Sequence, residues 1–245
     1  MKIIKIIDLI KMEVKEMIKT KSVKDMIEII LNKNPEIATQ EDLDKIDSLF
    51  FKDDLERPEQ DFSISDIQYF PNLKSISIKN HLITQEDINE ILNSNISEIE
   101  FEDCILDDNV GFTENDKVES IEFVKSSVDN YSFLNCFKKL KKLSVFKPQN
   151  NRLFNVKDIE FNKELKTLIL HDVVVSNIEL LNDKEIEMLS LLKSSLSSNY
   201  VDSINQMKQL KKVYISEEYN NSSISSQIDV RNNLNDLVSG SEDSV

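Results

Sequence analysis

The feature that most constrains this chain is a short pattern, apolar-x-x-apolar-x-apolar, that keeps returning. It stands at Ile46-Leu49-Phe51, Leu73-Ile76-Ile78, Ile96-Ile99-Phe101, Val118-Ile121-Phe123, Leu140-Leu143-Val145, Leu165-Leu168-Leu170, Ile186-Leu189-Leu191 and Leu210-Val213-Ile215. One match means little in a chain so rich in Ile and Leu, but the first positions follow one another at steps of 27, 23, 22, 22, 25, 21 and 24 residues. The eleventh position keeps the same register, being apolar at Ile83, Leu106, Val128, Val175 and Leu196. A recurrence at steps of 21 to 27 residues is the mark of a repeat architecture.

The pattern has a direct physical reading. Positions four and six lie on one side of a short strand, and positions three, five and seven on the other. A strand with one apolar face must bury it, and stacking the units does so, with the strands in a parallel sheet and position eleven returned to the same core. Strands are expected to begin near residues 48, 75, 98, 120, 142, 167, 188 and 212. Parallel strands need crossovers; "TQEDINEILNSN" and "SSNYVDSINQMKQ" read as helical turns, and "VVSNIELLNDKE" as an irregular one.

Before the repeats, Ile3, Ile7, Ile10, Val14 and Met17 share one face of a helix over 2–19, with Lys5, Asp8, Lys15 and Lys19 opposite. A second helix follows, with Ser22 as cap and Pro35 as its end. Thr39-Gln40-Glu41-Asp42 and Thr84-Gln85-Glu86-Asp87 each place an acid three residues after a hydroxyl, the mark of a capping box. The polar tail from Glu217 is expected to hold at most one helix near 226–238 and then disorder. The expected organisation is a helical N-terminal cap over 1–38, repeats over 39–217, and a C-terminal cap helix or disordered tail over 218–245.

On these units the chain resembles the leucine-rich repeat family, whose repeats run L-x-x-L-x-L-x-x-N/C-x-L. Ile96 to Leu106, "ISEIEFEDCIL", fits throughout, with Cys104 in the Asn/Cys slot. The resemblance covers 39 to about 217, and the segment through "IATQEDLDKIDSLFF" is similar to the helical N-terminal cap of bacterial internalin-like proteins. The other seven units hold Asp54, His81, Ser126, Pro148, Val173, Ser194 and Glu218 in that slot, so a ladder of asparagines is largely absent. The resemblance implies an α/β leucine-rich repeat solenoid of about eight parallel strands in a curved sheet. It also implies a non-enzymatic scaffold that binds a protein on the concave face.

Composition closes off other chemistries. Gly111 and Gly240 are the only glycines, so neither a phosphate-cradling loop nor a nucleophile elbow can be built. His81 and His171 fall about four strands apart, roughly 19 Å, too far to share a metal or a proton. Cys104 and Cys136 are too few for a disulfide framework and fit a reducing, cytoplasmic setting. The acidic loop Asp107 to Glu114 has the wrong residues for an EF-hand, which leaves Gly111 to a left-handed turn. No signal peptide or membrane span is expected, since Lys5, Asp8 and Lys11 interrupt the N-terminal apolar run. That helix reads as a cap for the open core or, less simply, as a membrane-surface helix. No cofactor and no metal is expected, and an enzyme without a recognisable motif, a hydrolase or transferase, is the alternative.

The outward positions of the strands carry the candidate binding residues. Glu98, Glu100, Glu102 and Glu122 form an acidic group, which a solvated face also explains. Position seven then turns apolar through Val124, Phe146, His171 and Leu192, with Ile169 and Met188 beside them. An exposed apolar row marks a recognition patch, unless the register slips by one or the tail covers it. The net charge is −15, and residues 1 to 33 carry +3, leaving −18 on the rest. Such a field repels nucleic acid and draws in basic surfaces, so the narrower expectation is an inhibitor or immunity-type protein for a basic protein partner.

Overall fold

A computed structural model describes residues 18–53, 62–106, 109–150, 152–219 and 223–232. The chain divides into two compact units, Met1–Ile105 and Leu106–Val245.

The first unit contains helix α1 (Lys21–Leu31), a one-turn helix α2 (Gln40–Leu43), strand β1 (Ser48–Lys52), a 3-10 helix Ile64–Tyr69, strand β2 (Ser75–Lys79), helix α3 (Gln85–Asn93) and strand β3 (Glu98–Glu102). The strands pair in parallel, with Leu49 opposite Ile76 and Ile76 opposite Ile99. Both expected capping boxes are present: Thr39 with Asp42 at α2, and Thr84 with Asp87 at α3. Lys33 first, then the Thr39 backbone, hold the Asp42 carboxyl well below the usual carboxylate range. The helix expected over 2–19 lies outside the described residues except for Ile18 and Lys19, which are not helical.

α1 begins two residues earlier than expected, and its cap is not Ser22. The N-cap position is Thr20, and the helix start is held from a distance: the buried Asp66 carboxylate accepts from the Lys19 and Thr20 N–H groups at 2.7–3.1 Å. Ser22 serves β1 instead. Its Oγ accepts from the Lys52 N–H at 2.9 Å, and the Met26 Sδ accepts from the Phe50 N–H at 2.9 Å. α1 therefore satisfies N–H groups along the edge of β1, the edge that would otherwise be open to another strand. Asn32, left-handed at φ 50°, closes α1, and Pro35 opens a 3-10 turn rather than ending the helix.

The second unit carries β4 (Ser120–Val124), β5 (Lys142–Phe146), β6 (Thr167–His171), β7 (Met188–Leu191), helix α4 (Tyr200–Gln206), β8 (Lys212–Ile215) and β9 (Asp229–Arg231). All are parallel to their neighbours, and Ile121, Leu143, Leu168, Leu189, Val213 and Val230 lie side by side across them. The returns run through 3-10 helices Ser132–Cys136, Val156–Ile159 and Ile178–Asp183 and through α4. β9 corrects the expectation for the tail: 229–231 extend the sheet instead of forming a helix, because the N–H of Asp229 finds the Lys211 carbonyl, at 2.9 Å, as an edge strand does. Residues 233–245 lie outside the described set.

In both units the repeat reading sets the core. The eight strands begin at the expected residues, and every residue at positions one, four and six is buried. Polar staples tie the returns together. Asn162, fully buried, donates to the Leu134 and Phe137 carbonyls, and Lys184 Nζ donates to the Ile159 and Glu160 carbonyls at 2.7 and 3.1 Å. Where the family slot is filled by Cys104 or Ser194, the side chain donates to the position-six carbonyl of the unit before, Ile78 or Leu170.

One regularity was not foreseen. Position eight of six successive units has positive φ: Asn80, Asp103, Lys125, Lys147, Asp172 and Lys193, at 50–64°. Gly111, expected to be left-handed, is not, and among the described residues no glycine has positive φ. The physical reason is that the chain must turn out of each strand at position eight while its N–H stays in the ladder. Asn80, Lys125, Lys147 and Asp172 donate to the position-seven carbonyls of Glu102, Phe146, His171 and Leu192 at 2.8–3.2 Å.

Candidate functional site

The site is built on the outward faces of β4 to β7 and the turns that follow them. Position five runs Glu122, Ser144, Ile169, Ser190 and Tyr214 across the strands in register. Large and small residues alternate, and the result is a closed row: Ser144 and Ser190 are fully buried, and Ile169 and Tyr214 are buried beside them. Position seven continues with Val124, Phe146 and His171 in register, followed by Leu192. The Phe146 and His171 rings meet edge to face at 4.9 Å. His171 Nε2 lies 2.7 Å from the Ser190 Oγ.

Val124, Phe146, His171 and Leu192 form the floor of a pocket of about 390 Å³, and Lys125, Lys147 and Lys193 line its rim together with Glu122 and Asp172. This corrects the expectation of an exposed apolar row. Val124, Phe146 and Met188 are half-buried, while Ile169, His171 and Leu192 are only 4–6% exposed. The residues do point away from the core, as the register requires. Their shielding comes from crowding on the face itself, where small Ser144 and Ser190 leave room for bulky neighbours.

The acidic group is only partly an open field. Glu98 is exposed on β3 of the first unit; Glu100 and Glu102 are half-buried, and Glu102 pairs with Lys79 at 2.6 Å. Glu122 belongs to the second unit, where its carboxylate lies 3.8 Å from the Lys142 ammonium.

Electrostatics divide the two histidines. Burial, then the Lys193 charge, pull His171 down to about 4, so the ring is neutral at neutral pH and the pocket floor stays uncharged. The Ser190 hydroxyl beside it is fully buried and out of reach of a substrate, as a nucleophile cannot be. His81 sits in the first unit, its Nδ1 2.8 Å from Asp53 and its Nε2 3.0 Å from Asp87, with Phe62 stacked at 4.0 Å. Burial works against its charge, but Asp87 and Asp53 outweigh that and raise its pKa. Burial pushes the Cys104 thiol up to about 12. Both cysteines are free thiols, and among the described residues no group of three His, Cys, Asp or Glu is placed to hold a metal. Among those residues no helix is long and apolar enough to cross a membrane.

Sequence reasoning missed the three rim lysines and Tyr214. A signal for the lysines existed, since position eight is Lys in three of the four units that build the pocket.

Comparison with solved structures places the fold. The chain is similar to internalin C2 from Listeria monocytogenes, with a TM-score of 0.52 and 18% identity over 83% of this chain and 96% of that one. Other matches are the APL1 leucine-rich repeat domain (TM-score 0.43, 9% identity, 78% and 67% covered) and an internalin, inlF, from Listeria monocytogenes (0.28, 12%, 91% and 97%). No protein-family model matches the sequence. No curated protein sequence matches it either.

Proposed function

We propose that this chain, which has an α/β leucine-rich repeat fold with parallel strands like that of internalin C2, is a non-enzymatic scaffold that binds a protein partner on the outward strand faces. The observation that carries the reading is the pocket of about 390 Å³ floored by Val124, Phe146, His171 and Leu192, an apolar hollow on an otherwise strongly charged protein. Apolar anchors in partly desolvated hollows supply most of the energy of protein interfaces. Ile169 and Met188 support that floor from the same face. The organisation over 1–38, 39–217 and 218–245 belongs to this reading, with α1 as cap. So does a cytoplasmic setting, which the two free thiols favour.

The narrower reading is an inhibitor or immunity-type protein for a basic partner. The −18 carried beyond residue 33 supports it, with Glu98, Glu100, Glu102 and Glu122 as steering charges.

The test is affinity capture from the native host with the wild-type chain and the Phe146→Asp variant as paired baits, followed by kinetics on the purified partner. Phe146→Asp is expected to weaken binding about 30-fold through faster dissociation, at a temperature below the variant's own thermal midpoint, which the lost ring contact with His171 lowers. Glu98→Lys with Glu100→Lys is expected to slow association of a basic partner, less so in added salt. A partner that binds the Phe146→Asp variant unchanged overturns the pocket as the binding surface.

A further inference from the structure

The charge around the pocket runs against the charge of the protein. In a chain of net −15, the rim presents Lys125, Lys147 and Lys193, none of which has an ion-pair partner among the described residues. The two acids at the same rim are engaged elsewhere: Glu122 with Lys142, and Asp172 with the Arg152 guanidinium, which also donates to the Asp172 carbonyl. What remains at the mouth of an apolar hollow is three uncompensated ammonium groups.

We propose that the pocket receives an acidic segment of a protein partner, an apolar side chain on the floor between Phe146 and Leu192 with carboxylates at Lys125, Lys147 and Lys193. This rests on the scaffold reading above but not on the partner's being basic.

Spacing favours a peptide over a small acid. Lys125 and Lys193 lie in the turns that follow strands β4 and β7, three interstrand steps apart, or roughly 14 Å at about 4.8 Å each. One carboxylate cannot serve ammonium groups spread that far, whereas an extended chain advancing about 3.3 Å per residue covers the span in four to five residues. A segment with acids on both sides of a Phe or Leu meets both requirements. Its approach removes the mutual repulsion of the three lysines, and its apolar side chain covers a floor that is uncharged at neutral pH.

The test uses the two histidines as reporters: His171 lies in the pocket, and His81 lies in the other unit, held by Asp53 and Asp87. The full chain is titrated with acetyl-Asp-Asp-Phe-Asp-Asp amide at low salt while the imidazole resonances are followed by NMR. The proposal expects the His171 signals to move, those of His81 to stay, and the His171 titration midpoint to rise as carboxylates offset Lys193. It also expects at least tenfold weaker binding after Lys125→Glu, Lys147→Glu and Lys193→Glu together, or severalfold weaker after Lys147→Gln alone if the triple variant does not fold. Equal or tighter binding of acetyl-Lys-Lys-Phe-Lys-Lys amide, an unmoved His171, or octanoate moving His171 as strongly as the peptide overturns it. Once a partner has been captured, loss of its binding with Phe146→Asp but not with the lysine variants keeps the scaffold reading and sinks this one.

Discussion

Strand β6 and the residue before it put the repeat register to a quantitative test, because Lys166, Leu168 and Ile169 face three different environments. Leu168 is fully buried and lies in register between Leu143 and Leu189, themselves fully buried. Leu168→Ala removes about three carbons, worth roughly 2.4 kcal/mol at about 0.8 kcal/mol per methylene. The cavity left between neighbouring units, which cannot collapse without moving strands on both sides, brings the expected loss to about 3–5 kcal/mol. Ile169 points the other way, between Ser144 and Ser190, and is 5% exposed. Its removal opens a hollow that water can enter, so Ile169→Ala is expected to cost less, about 1–2 kcal/mol. Lys166 has about half its side chain in solvent and pairs with Glu187 there, so Lys166→Ala is expected to cost under about 1 kcal/mol. The chain lacks Trp, so the assay is urea unfolding followed by far-ultraviolet circular dichroism. With an m-value of about 2 kcal/mol/M, a 3 kcal/mol loss shifts the midpoint by about 1.5 M. Equal midpoints for Leu168→Ala and Ile169→Ala, or a larger shift for Ile169→Ala, would refute the register.

Other predictions follow from single contacts. Lys184→Met strips donors from the Ile159 and Glu160 carbonyls and is expected to cost about 2–4 kcal/mol, read from the same urea midpoints, whereas Lys163→Met should not matter. His81 has a raised pKa in the fold, so the stability it contributes is full below its unfolded value of 6.5 and lost as pH rises through the folded value. The urea midpoint should therefore fall from pH 6 to pH 9, and His81→Phe should flatten that fall; an unchanged slope contradicts the Asp53–His81–Asp87 contact. Deleting residues 1–33 bares the N–H groups of Phe50 and Lys52 on the edge of β1 and is expected to cause concentration-dependent association in sedimentation velocity, while a monomeric deletion variant would deny α1 its capping role.

How much of this was legible in the sequence depends on how local the cause is. The strands were, because a period-two apolar pattern inside a repeat leaves one register that buries Leu168 and its equivalents. The capping boxes at Thr39 and Thr84 were, because cap and acid lie three residues apart. The cap of α1 was misread because its acceptor, Asp66, is distant in sequence. β9 was missed because Asp229-Val230-Arg231 carries one apolar residue and no repeat signature. At the site, the position-seven residues were placed on the right face, but their burial was not foreseen, since it depends on Ser144 and Ser190 of neighbouring strands. The rim lysines recur visibly at position eight, but their place at the pocket mouth comes from a backbone turn that the apolar repeat pattern does not encode.

That turn has a consequence for how such a surface can vary. Six units hold position eight in the left-handed region with Asn, Asp, Lys, Lys, Asp and Lys in turn, so the conformation is imposed by the ladder and is indifferent to the side chain that hangs from it. Asparagine and aspartate accept it readily, and lysine at a modest cost. The residue there is therefore exchangeable without disturbing the buried pattern, and a run of such positions works like a row of interchangeable type. A lineage can reset the sign of the pocket mouth, unit by unit, and change what it greets while the frame behind it stays the same.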